Sequence, residues 1–133
     1  MSKKMIYVAA IAVLGTAAPA LAHHSFAMFD QGKVVELTGT MQRMDWTNPH
    51  VYFTVVVKAA NGGTDTWAIE GAAPNGMSRQ GWSRIIFKPG DPISVVVHPR
   101  KNGEKEAQLL LAKTGAGKML WRNEDRPSVT LTN

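Results

Sequence analysis

Between residues 51 and 58 the chain alternates, with Val51, Phe53, Val55 and Val57 on one side and Tyr52, Thr54 and Lys58 on the other. A period of two belongs to a half-buried β-strand. The same period returns from Thr64 to Glu70, where Trp67 and Ile69 alternate with Thr66 and Ala68. Between the two runs, Asn61-Gly62-Gly63 supplies the positive-φ residues of a tight turn, so they form a hairpin. Upstream, Val34 to Trp46 is rich in Val, Thr and Leu and is interrupted by Gly39, which predicts a long strand that bends or bulges at the glycine. Thr47-Asn48-Pro49-His50 then reads as a turn, because Pro49 fixes its own φ and disfavours helix in the residue before it.

Beyond Glu70 the pattern changes. Pro74 to Arg84 holds one short helix at most, since Gly76 and Gly81 limit its length, and its Met77 and Trp82 suit a plug for an open core. Alternation resumes at Ile93 to His98, with Ile93, Val95 and Val97 on one face, and again at Glu106 to Lys113, with Leu109 and Leu111 on one side. Turns at Lys88-Pro89-Gly90-Asp91 and Lys101-Asn102-Gly103-Glu104 precede these two strands. Met119-Leu120-Trp121 is a short apolar closure, and 124–133 reads as a frayed polar tail.

Three strands, a short helix and two strands predict an all-β fold with one short helix. The expected architecture is a single-domain, five-stranded OB-like Greek-key barrel whose helix closes one end. An immunoglobulin-type sandwich would need more strands than the pattern offers.

The first residues belong to a different category. Lys3 and Lys4 precede an uncharged run from Met5 to Ala18, Pro19 breaks it, and Ala20-Leu21-Ala22 has the small-x-small form that signal peptidase cuts. The run is shorter than the roughly 20 apolar residues of a membrane span. Residues 1–22 are therefore expected to be a signal peptide cleaved after Ala22, with a cut after Ala20 as the alternative. That leaves a barrel domain at 23–123, a tail at 124–133, no membrane span after cleavage and a periplasmic location.

Composition narrows the function. The 133-residue precursor carries 15 Lys+Arg against 10 Asp+Glu, formally +5. Removing residues 1–22 takes Lys3 and Lys4 with it and leaves 13 basic against 10 acidic side chains, or +3, dispersed along the chain. A dispersed surplus that small does not make a nucleic-acid surface. The absence of cysteine excludes disulfides, thiolate metal sites and cysteine nucleophiles. Nucleophile elbows, phosphate loops, His-Glu-x-x-His and EF-hand patterns are also missing, and the acidic residues placed near strand ends, Asp45 and Glu70, are not paired by spacing. A non-enzymatic binding protein is the expectation.

Cleavage after Ala22 would expose His23 with a free α-amine, followed directly by His24. The amine titrates near about 8 and imidazole near about 6.5, so at neutral pH a metal competes with few protons. All-nitrogen ligands without thiolate favour Cu(II) over Ni(II) or Zn(II). A cut after Ala20 would instead place a histidine third, again a copper-chelating arrangement. His50 in the Asn-Pro-His turn is the third candidate ligand, and His98 at a strand end the remaining histidine. Both have ordinary roles as well, His50 bonding a backbone group of its turn and His98 facing solvent. Met28, Met41 and Met44 could give thioethers to Cu(I) but are ordinary core fillers. Of Trp46, Trp67, Trp82 and Trp121, most are accounted for by a small core. Trp46 adjoins the turn and, with Asn48 and Pro49, forms a candidate interaction surface for an envelope protein.

The segments His23-His24-Ser25-Phe26-Ala27-Met28-Phe29-Asp30, Leu37-Thr38-Gly39-Thr40, Trp46-Thr47-Asn48-Pro49-His50, Trp67-Ala68-Ile69-Glu70 and Pro89-Gly90-Asp91 together resemble a family of small exported bacterial proteins catalogued as a domain of unknown function. The resemblance runs from His23 to about Trp121. It implies export, a compact β-domain and a site near the His-His start and the Asn-Pro-His turn. In layout the chain is also similar to periplasmic bacterial OB-fold proteins associated with stress tolerance, a likeness of fold that carries no activity.

Overall fold

The computed structural model describes residues 26–132. The expected signal peptide at 1–22, together with His23 and His24, lies outside the described residues. Among the described residues the named elements follow in the order β1 Val35–Asp45, β2 Tyr52–Lys58, β3 Thr64–Glu70, α1 Pro74–Arg79, β4 Pro92–Pro99, β5 Glu106–Thr114 and β6 Met119–Trp121.

The first five strands close into a barrel. β1 pairs antiparallel with β2 through Gly39–Asp45 and with β4 through Val35–Thr40, so one long strand serves two neighbours. β2 pairs with β3 and β4 with β5, and the ring shuts where β3 and β5 run parallel through Ala68↔Glu106, Ile69↔Ala107 and Glu70↔Gln108. β6 adds to the free side of β5. The result is the expected OB-like barrel, extended by one strand that the sequence presented only as an apolar closure.

Alternation fills the interior. Phe53, Val55 and Val57 of β2, Ile69 of β3, Ile93, Val95 and Val97 of β4, and Ala107 and Leu109 of β5 form one buried cluster. Each fully buried side chain of this size contributes about 1.5–3 kcal/mol. The hairpin turn has Gly62 at φ +85°, and Gly63 N–H donates to Asn61 Oδ1 at 3.0 Å. α1 begins with Pro74 in its first turn and ends by Gln80. It delivers Met77 into the open end of the barrel, and the loop after it delivers Trp82. The Trp82 ring lies 5.8 Å from that of Phe53 and 5.9 Å from that of Phe87, and its Nε1–H donates to Trp121 O at 2.9 Å.

Two details differ from the sequence reading. The β1–β2 register shifts between Met41 and Arg43 rather than at Gly39. Gly39 answers a different need: a Cβ there would lie 2.0 Å from Val56 O, so the two backbones meet at that position. On β5, Leu109 and Leu111 do not share a side. Val97 pairs with Leu109 and Val96 with Leu111, so Leu110 is the extra residue of a bulge. Leu109 and Ala112 therefore both reach the core, while Leu111 is buried against the opposite face together with Val96. Beyond β6 the chain returns to β1, where Thr132 donates from both N–H and Oγ1 to Glu36 Oε2, at 2.9 and 2.6 Å.

Candidate functional site

At the end of β3 the core-facing residue is Ile69, so Glu70 points outward from the barrel. It is buried all the same, which for a carboxylate requires partners. His50 supplies one: its Nδ1–H donates to Glu70 Oε1 at 2.8 Å, with the imidazole one-fifth exposed. The turn makes this possible, because β1 ends at Asp45 and Val51 re-enters the core directly after His50. Val51 then donates its N–H to Ala72 O and accepts Gly71 N–H on its carbonyl, fixing the stretch after β3 beside the turn.

Tyr52 pairs with Glu70 across β2 and β3 and stands on the same outer side. Its ring centroid is 6.5 Å from that of His50. The phenol is held above the ordinary tyrosine range, first by burial, then by the negative charge of Glu70, a hydrogen bond to Glu70 and the charge of Glu106. Arg122, just past β6, comes to the same corner and donates Nε–H to Gly71 O at 3.3 Å. Burial pushes this guanidinium below its ordinary value, and Glu70 acts in the opposite sense. On its far side Arg122 lies over the ring of Phe26, with Cζ 5.2 Å from the ring centroid.

The corner thus joins a buried carboxylate, a histidine oriented by it, and a cation that fastens the start of the described chain. A carboxylate on one ring nitrogen fixes the tautomer and leaves the lone pair on the other, the arrangement typical of a histidine that binds metal. Nε2 of His50 has no hydrogen bond among the described residues. By themselves these groups are too few: among the described residues no cluster of three His, Asp or Glu side chains could hold a metal ion.

The other residues singled out from the sequence fall elsewhere. Trp46 is half-buried and packs against the core, while Thr47, Asn48 and Pro49 are exposed at the turn. His98 Nδ1 is 2.7 Å from Lys33 O, and in register His98 pairs with Gln108 of β5, which pairs in turn with Glu70 of β3. Met41 is in the core, Met44 packs against it, and Met28 is exposed with its sulfur 3.5 Å from Arg100 Nη2. Asp45 pairs with Arg43 at 2.7 Å rather than with Glu70. Sequence reasoning missed Tyr52 and Arg122 as parts of the site. Tyr52 carried a usable signal, because it sits opposite Glu70 in the hairpin register that the Asn-Gly-Gly turn sets.

Fold and corner together define a small OB-like barrel with a carboxylate-oriented histidine at one edge. The chain belongs to a family of unknown function, DUF6152, whose model matches residues 10–109. No curated protein and no solved structure matches it. Among the described residues no helix is long and apolar enough to cross a membrane.

Proposed function

We propose that this protein is exported to the periplasm, cleaved after Ala22, and binds Cu(II) there without catalysing a reaction. The ligands are the α-amine and imidazole of His23, the imidazole of His24 and Nε2 of His50. One observation carries the reading: Phe26 is fastened to Arg122 at the corner where Glu70 orients His50. Two residues lie between His23 and Phe26, three chain steps with a reach of about 10 Å, and that short reach from the Arg122 corner supports His23 and His24 as partners of the third imidazole. Four nitrogen donors and no thiolate select Cu(II) by ligand type and by the Irving–Williams order.

Mass spectrometry of the exported protein should find His23 as its first residue. Calorimetric titration of that protein with Cu(II) should give a dissociation constant below about 1 μM. Changing His23 and His24 to Ala should abolish binding at that level, and equal affinity in the double variant would overturn the proposal. A second reading, an envelope protein docking on the Trp46–His50 turn, is favoured by the exposure of Thr47, Asn48 and Pro49. Asn48→Ala separates the two, since at this exposed position it should weaken such docking and leave copper affinity unchanged.

A further inference from the structure

On the outer side of β5 there is a cavity of about 450 Å³, lined in part by Phe26 and Arg122, the pair that anchors the chain start in the copper reading, and by none of the proposed copper ligands among the described residues. Gln108 borders it, and this side chain is buried. Its Oε1 accepts from Gln31 Nε2 at 3.2 Å, whereas its Nε2 is buried with no hydrogen-bond partner among the described residues. A buried amide donor left unmatched costs about 1–3 kcal/mol, so folds seldom keep one without a use. Arg122 borders the same cavity. Its backbone N–H donates to Leu110 O at 3.0 Å, and among the described residues its one side-chain hydrogen bond uses Nε, which leaves both Nη groups for a ligand. Phe26, Leu110 and Pro127 give the cavity an apolar wall.

We propose that this cavity binds a small organic monocarboxylate with an apolar body. Its oxygens accept from Arg122 Nη and Gln108 Nε2, and its body lies on Phe26, Leu110 and Pro127. A guanidinium and an amide N–H₂ together match the two oxygens of a carboxylate. Arg126, held over Trp121 with Cζ 5.8 Å from the ring centroid, adds a second positive charge at the rim. Asp125 borders the cavity as well and disfavours a dianion such as phosphate. A carboxylate would also compensate a guanidinium that burial has stripped of water. The proposal does not depend on copper.

The test is a ¹⁵N NMR titration of the mature protein, kept metal-free with a chelator, using 4-methylpentanoate, 4-methylpentanamide and acetate. The expected result is saturable movement of the Phe26, Gln108 and Leu110 amide signals by 4-methylpentanoate, with affinity at least about tenfold below it for the other two probes. Gln108→Glu, which keeps the shape and puts a negative charge against the ligand, should weaken 4-methylpentanoate by at least about tenfold while the spectrum stays dispersed. The comparison between carboxylate and amide needs no variant, so it stands even if Gln108→Glu fails to fold. Equal affinity for acid and amide, or no saturation by about 10 mM, would overturn the proposal.

Discussion

His50 donates from Nδ1 to Oε1 of Glu70 across 2.8 Å, and the two are brought together by a turn that ends β1 and by the last residue of β3. If that carboxylate orients the ring for a metal, Glu70→Gln should lower Cu(II) affinity by about 10–100-fold with little change in fold. Calorimetry on the mature protein measures it. Copper at about 100 times its dissociation constant should raise the stability of the wild-type chain by about 2.7 kcal/mol in urea melts, and by less in the variant. Unchanged affinity in Glu70→Gln would reduce the His50–Glu70 contact to a structural hydrogen bond.

Tyr52 offers a pH test of the same corner. The sequence has two tyrosines, Tyr7 and Tyr52, so in a chain that starts at His23, as the proposed cleavage would give, Tyr52 is the one phenol and its ultraviolet titration is unmixed. Its folded value lies above the ordinary 10.0, chiefly through burial and then through Glu70. The folded protein therefore holds the proton at a pH where the unfolded chain has released it. The stability this gives is complete below about pH 10 and is lost as the pH climbs through the folded value. Urea melts between pH 9 and 11 should show that decline, and Tyr52→Phe should flatten it. In Glu70→Gln the Tyr52 titration should move down toward the ordinary value, and a shift upward would contradict the assigned cause.

Strands were legible because the barrel interior imposes a period of two, and the runs at Val51–Lys58 and Thr64–Glu70 report it directly. What failed was whatever interrupts that period. Leu110 inserts one residue into β5, and nothing in Leu109-Leu110-Leu111 distinguishes the bulged leucine from its neighbours. The site was half legible for a related reason. His50 stood out by residue type, but the burial of Glu70 and its closeness to Arg122 depend on a segment that meets Gly71 from 51 positions away. Local pattern carries no trace of such a contact. Gly39 is visible as an interruption but reads as a bend, because a requirement for close backbone approach looks identical in one dimension.

Trp82 joins the plug to the barrel wall, its ring packed at tilted angles against Phe53 and Phe87 and its indole N–H bonded to the backbone of β6. Trp82→Ala should cost about 3–5 kcal/mol, most of it the cavity left at the barrel end. Trp82→Phe keeps part of the ring and loses the bond to Trp121 O, so it should cost less. Urea denaturation of both variants gives the comparison. A loss under about 1 kcal/mol in Trp82→Ala would mean that the end of the barrel collapses onto the missing ring.

Two glycine-to-alanine changes should move stability in opposite directions. At Gly39 the new methyl would meet Val56 O at 2.0 Å and the Val56 carbonyl carbon at 2.8 Å, both backbone atoms of a paired strand that cannot swing aside. β1 cannot retreat either, because Gly39 is paired with Val57 on one side and Ile93 on the other. Relief then means opening one of the two ladders, and Gly39→Ala should cost about 3 kcal/mol or prevent folding. Gly76 lies inside α1 with nothing within 4 Å of an added methyl, so Gly76→Ala meets no clash. There the lower backbone entropy of alanine in the unfolded chain and its better helix propensity should raise stability by about 0.5–1 kcal/mol. Urea midpoints at constant slope decide the pair, and a neutral Gly39→Ala would show that β1 passes from β4 to β2 without the close approach assigned to it.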